Sequence, residues 1–157
     1  MKRQNVLMKA YTITCAWATL AVAAAILITF TLTSCNDSEV INNLPSHVTQ
    51  FVDQYWPGSS ISAYSKVKDE GCTVTIKDGP TVKFDEQQAW TDIKGNGVPL
   101  PSTLLFDQLP EPLYDFLEEM QSTGDVYGVT RDASTYTLTL LDSKISYDIA
   151  TGKVKYI

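Results

Sequence analysis

The sequence predicts an α+β fold in which two tandem α-β-β-β-β repeats form one antiparallel sheet with helices packed on one face. Three observations predict it. The apolar residues Val48, Phe51, Val52 and Tyr55 recur 65 positions later as Leu113, Phe116, Leu117 and Met120. Each set follows i, i+3, i+4, i+7, which is one apolar stripe along an α-helix. A Leu-Pro pair opens each segment, Leu44-Pro45 and Leu109-Pro110, and proline suits a first helical turn. Short runs of alternating apolar and polar residues then follow each helix, as half-buried strands require.

The elements follow in order. Repeat one covers 44–94, a linker 95–108, and repeat two 109–157. "WPG" (56–58) and "STG" (122–124) stop the two helices. Strands are expected at about 60–68, 71–77, 80–85 and 88–94, then at about 125–132, 135–141, 144–149 and 152–157. "KDG" (77–79) and "LDS" (141–143) have hairpin-turn chemistry. Alternation puts Cys72, Val74, Ile76, Val82 and Phe84 on one face, and Tyr136, Leu138, Leu140, Ile145 and Tyr147 on the matching face of the second repeat. The linker holds Gly, Pro and Asn before "TLLF" (103–106), which reads as a loop and a short helix with Ser102 as its cap.

The amino terminus has a different character. "MKRQNVLMK" carries three positive charges and no acid, and about 23 residues without a charge follow. That length suits either a secretory signal or a membrane span. The end of the segment reads Leu32, Thr33, Ser34, Cys35, which resembles the bacterial lipoprotein box. The resemblance implies that residues 1–34 are a cleaved signal peptide and that Cys35 takes a diacylglycerol thioether. Residues 35–43 would then be a polar tether, and the lipid would be the membrane contact. Asn36 in place of Asp leans toward the outer membrane by analogy with enteric sorting. The expected setting is the cell envelope, periplasm-facing or surface-exposed. Met8 offers a second start.

Without residues 1–34 the chain carries nine basic and eighteen acidic side chains. An acidic module of this kind is a poor nucleic-acid binder. Cys72 has no cysteine partner in such a chain and reads as a small core residue. His47 is the only histidine. It reads as a solvent-facing or capping residue at the start of the first helix. "DIKGNG" (92–97) lacks the alternating acids and closing glutamate of a calcium loop. No nucleophile motif, phosphate loop or dinucleotide fingerprint is present. The expectation is no enzyme, no cofactor and no metal.

The pattern of a leading Leu-Pro, a helix ending at "YWPG" (55–58), "VKFD" (82–85), Trp90, "VPLP" (98–101) and a second copy resembles the PepSY-like family, whose fold is like that of β-lactamase inhibitor protein. The likeness covers about residues 44–157. Two departures stand out. Gln88 replaces the glycine expected between the Asp and the Trp, and the second copy has Tyr147 for Phe and no tryptophan. The resemblance implies an extracytoplasmic module that binds a protein or peptide, with inhibition of an envelope hydrolase as one form. A glycan, cell-wall or structural envelope role is the other reading. Charge layout points to the sheet as the binding face, since the helices carry acids and no Lys or Arg. The candidate residues are Tyr64, Lys66, Thr73, Thr75, Lys77, Lys83, Tyr127, Thr137 and Thr139, with Trp90 either in the core or on the surface.

Overall fold

The computed structural model describes residues 44–157. The expected signal peptide (1–34), Cys35 and the expected tether (35–43) lie outside the described residues. Three helices and eight strands follow in the order α1 (Ser46–Tyr55), β1 (Ile61–Val67), β2 (Gly71–Ile76), β3 (Thr81–Phe84), β4 (Trp90–Lys94), α2 (Ser102–Gln108), α3 (Glu111–Glu119), β5 (Val126–Arg131), β6 (Thr135–Leu140), β7 (Lys144–Asp148) and β8 (Lys153–Tyr156). The strands form one antiparallel sheet in the order of the chain, β1 to β8. None of the described helices is long and apolar enough to cross a membrane.

Each helix begins at the same dipeptide. Pro45, Pro101 and Pro110 are the three N-cap residues, with φ near −57° and ψ near 138°. Proline fixes that φ and loses no helical hydrogen bond there. Its carbonyl accepts the first helical bonds, from Val48, Leu105 and Leu113 at 3.0, 3.2 and 2.9 Å. Pro101 therefore occupies the position expected of Ser102, which is the first helical residue and makes no capping bond.

Helix α3 ends one residue short of the last member of its apolar stripe, Met120, which is the C-cap. Gln121 adopts φ 54°. The Ser122 N–H donates to the Leu117 carbonyl and the Gln121 N–H to the Glu118 carbonyl, both at 2.9 Å. This is a Schellman ending with glutamine in the place usually held by glycine. "STG" therefore lies beyond the stop. Met120 leaves the stripe and is exposed, whereas its counterpart Tyr55 is buried.

The core lies between the helices and one side of the sheet. Cys72, Val74, Ile76, Val82, Phe84, Leu138, Ile145 and Tyr147 are all buried, as alternation requires. All of these but Ile76 share one cluster with Val48, Leu104, Leu105, Leu113 and Leu117 from the helices. Burying such an aliphatic side chain contributes roughly 1.5–3 kcal/mol relative to leaving it in water. Tyr136 and Leu140 pack at the margin.

The two groups of four strands join through β4 and β5, where Asp92, Ile93 and Lys94 pair with Thr130, Val129 and Gly128. The loop that follows β4 is fastened to β5 by Gly95 N–H to Tyr127 O and Leu100 N–H to Val126 O, each 2.7 Å. A Cβ on Gly95 would sit 2.0 Å from the Val98 oxygen and 2.8 Å from the Tyr127 oxygen, both backbone. Gly95→Ala should therefore cost about 1–3 kcal/mol through forced backbone shifts. Gln121→Gly should add about 1 kcal/mol by relieving a left-handed L-residue, seen as a rise of roughly 4–6 °C in Tm. In thermal melts, a Tm for Gly95→Ala that does not fall would contradict the first assignment, and a Tm for Gln121→Gly that does not rise would contradict the second.

Candidate functional site

The sheet register decides what the expected binding face contains. Residues directly opposite each other on paired strands point to the same side. One row runs across all eight strands: Ser65, Thr73, Lys83, Asp92, Thr130, Thr137, Ser146 and Lys155. Beside it lie Ala63, Thr75, Thr81, Lys94, Gly128, Thr139 and Lys144. This open face carries hydroxyls and lysines, and its one described ion pair is Lys94 with Asp92 at 3.5 Å. Thr73, Thr75, Lys83, Thr137 and Thr139 are on it as expected. Lys77 sits in the turn after β2. Tyr127 lies in the irregularity between Val126 and Gly128, which leaves it with Gly128 on the side away from the buried Val126 and Val129.

Tyr64 and Lys66 are not on that face. Tyr64 pairs with Val74 and Lys66 with Cys72, both core-side residues. β1 has few apolar residues, and an irregularity lies between Ile61 and Ala63, so alternation alone does not fix its orientation. Trp90 is also in the core, 3% exposed. Its indole N–H donates to Gln108 at 2.6 Å, and Gln108 donates to the Tyr55 hydroxyl at 2.6 Å. The Arg131 guanidinium lies 4.2 Å from the Trp90 ring centroid. Tyr64, Tyr127 and Trp90 therefore do not gather in one patch.

Tyr64 and Lys66 instead line a cleft of about 370 Å³. It is bounded by the start of α1 (Pro45, His47), the β1–β2 hairpin (Tyr64, Lys66, Lys68, Asp69, Cys72) and the β3–β4 turn (Asp85, Glu86, Gln88). Asp85 shapes that turn, its carboxylate accepting the Ala89 N–H at 2.9 Å. Gln88 adopts φ 67° there, a conformation that explains why glycine suits the position. Gly71 lets the hairpin approach, because a Cβ on it would lie 2.0 Å from the Phe84 oxygen.

His47 is not a solvent-facing or capping residue. Its ring packs edge-on against Phe84 with centroids 5.4 Å apart. Its Nε2 is buried without a hydrogen-bond partner, and burial holds its pKa below the usual 6.5. Burial also pushes the Cys72 thiol up, against a smaller lowering from Tyr64 and Lys66. Burial and the adjacent Cys72 raise the Tyr64 hydroxyl in turn. The cleft therefore holds a neutral imidazole and a neutral thiol near pH 7. The helical period of α1 places His47 beside Val48, but only the tertiary contact with Phe84 turns it inward. Among the described residues no three His, Cys, Asp or Glu side chains converge as a cation site.

A single open antiparallel sheet backed by helices, with a cleft at one edge, defines an α+β protein. Solved structures share this fold. A Bacteroides vulgatus protein of the DUF2874 family, described as periplasmic, matches with a TM-score of 0.61 and 18% identity over 73% of this chain and 90% of that one. A Bacteroides thetaiotaomicron protein described as periplasmic and calcium-regulated matches with a TM-score of 0.60 and 16% identity, over 73% and 92%. Another Bacteroides vulgatus protein, described as periplasmic and of unknown function, matches with a TM-score of 0.59 and 19% identity, over 74% and 94%. No family model and no curated protein matches the chain.

Two measurements probe the cleft. Cys72 should react with iodoacetamide at least about tenfold more slowly than a free cysteine until denaturant is added, followed by peptide mapping. His47 sets a pH window. Its stabilising effect is full above pH 6.5 and falls as pH drops from 6.5 through its lower folded value, because the unfolded chain then binds the proton more readily. His47→Phe should flatten that part of the Tm–pH curve, and an unchanged slope would assign it to another group.

Proposed function

We propose that the chain is a lipid-anchored protein of the cell envelope that binds an extended segment of a partner protein and catalyses no reaction. The observation that carries this reading is the contrast between the two free edges of the sheet. β8 is four residues long, and two of them are Lys153 and Lys155, features that discourage strand addition. β1 is seven residues long, with Ser62, Ala63 and Ser65 exposed along it. It borders the cleft through Tyr64, Lys66 and Val67. A peptide added alongside β1 would gain backbone pairing and place alternate side chains at the cleft mouth.

Other observations support the setting. The lipoprotein box at Cys35 implies export and anchoring, and the three fold neighbours are described as periplasmic. One helix and four strands, then two helices and four strands, fits a duplicated α-β-β-β-β unit. The left-handed Gln88 fits the glycine position of the PepSY-like pattern. That resemblance makes an envelope hydrolase the partner of choice, with inhibition as the outcome. The thiol of Cys72, raised by burial, favours a binding role over nucleophilic catalysis at that residue. On the open face Tyr127 is the one aromatic, so stacking against a glycan has little to work with. The calcium regulation of one neighbour is not carried over, because the described residues gather no cation site.

Mass spectrometry of the protein from its native membrane should find Cys35 as the first residue, carrying a diacylglycerol thioether. An intact residue 1 with a free Cys35 thiol overturns the anchor. For the binding role, the mature protein should retain one envelope protein in a pull-down. That partner should slow hydrogen exchange at the Tyr64–Val67 amides, and Lys66→Glu should release it. Equal retention by Lys66→Glu with unchanged exchange along β1 refutes binding at this edge.

A further inference from the structure

The helix layer carries a second surface, built from elements that take no part in the cleft. Glu111, Tyr114, Asp115 and Glu118 follow i, i+3, i+4, i+7 along α3, so they form one stripe. It faces away from Leu113 and Leu117, which are fully buried. From α2, Phe106 packs edge-on against Tyr114 with ring centroids 5.3 Å apart at 82°. Phe106 is 67% exposed, the highest value among the large apolar side chains described. Asp107, next in the chain, turns instead to α1, where its carboxylate accepts from Gln54 and the Tyr55 hydroxyl at 3.2 and 3.3 Å. Glu118 lies against the Tyr114 hydroxyl, which burial and that carboxylate raise above its usual range.

The surrounding charge has no internal counterpart. α1, α2 and α3 contain no lysine or arginine. Among the described residues the one ion pair is on the opposite side of the sheet. An exposed aromatic pair beside a stripe of carboxylates without a described cationic partner fits a particular chemistry. A guanidinium stacks on the ring faces while its N–H groups pair with carboxylates. An anionic lipid surface would be repelled by the same acids. A second copy of this chain would offer the lysines of its open face, but beside them that face has only Ala63 and the single aromatic Tyr127 to cover Phe106.

We propose that Phe106 and Tyr114, flanked by Glu111, Asp115 and Glu118, form a docking surface for an arginine-bearing cationic segment of another protein. The surface is independent of the β1 cleft and stands or falls separately from it.

The test uses the full chain in nanodiscs of zwitterionic phosphatidylcholine. The probe is a fluorescein-labelled peptide of sequence Arg-Leu-Arg-Arg-Leu-Arg, followed by fluorescence anisotropy. Binding is expected, and it should weaken as salt rises. Phe106→Ala should weaken it about fivefold or more, the size of a modest hot spot. The triple change Glu111→Gln, Asp115→Asn, Glu118→Gln should weaken it at least about thirtyfold by removing three of the charges. Replacing arginine by lysine in the peptide should also weaken it. Lys66→Glu, in the cleft, should leave it unchanged. All substituted residues are at the surface, and Tm confirms that each variant folds. Equal affinity for wild type and Phe106→Ala overturns the aromatic part and reduces the surface to diffuse charge. Self-association that Glu118→Gln abolishes, with no peptide binding, overturns the proposal in favour of a second copy.

Discussion

Three residue pairs at the middle of the sheet govern the rest of the molecule. Asp92–Thr130, Ile93–Val129 and Lys94–Gly128 join β4 to β5. Without them the strands would make two four-stranded sheets, each with an extra free edge and half a core. With them, Ile93 and Val129 lie buried at the centre of one layer. The loop between β4 and α2 must then fold tightly back on β5, and Gly95 is what permits it. The hydrogen-bonded path from Trp90 through Gln108 to Tyr55 ties the same strand to α2 and α1. Register at this junction also aligns the rows on either side, so it fixes which side chains reach the open face and which reach the core.

Much of this was legible in the residues themselves. The helical stripes of α1 and α3, the alternation in β2, β3, β6 and β7, and the turns at Asp78 and Asp142 all follow local periodicity. These are half-buried elements, where one face must be apolar. What escaped local reading lies where burial does not impose a pattern. β1 is an edge strand with an irregularity near its start, so the sides taken by Tyr64 and Lys66 depend on pairing with β2. The exposure of Met120 depends on Gln121 entering a left-handed conformation that its residue type does not announce. The inward turn of His47 depends on Phe84, thirty-seven positions away. The same distances conceal the cleft, whose three walls come from three separate stretches of chain.

The chemistry of the cleft and the layout of charge point the same way. Hydroxyls and lysines cover one side of the sheet, and acids occupy the helix layer on the other. His47 and Cys72 are both held neutral by burial. The binding role proposed above rests on this shape and sign of charge. The two proposed surfaces also differ in kind. The β1 edge offers backbone pairing, which is tolerant of sequence. The Phe106–Tyr114 surface offers side-chain contacts, which are selective for arginine.

The order of strands has one more consequence. Every strand pairs only with its predecessor and its successor in the chain. A polypeptide that emerges end first can therefore lay each strand on the one already in place. Local pairing of this kind keeps loop closure short and folding correspondingly quick for a sheet protein. Assembly in that order would start from β1 and keep the newest strand as the growing edge. Only the last of these, β8, becomes permanent, and it is the one armoured with lysine. No strand has to wait, unpaired and sticky, for a partner made much later.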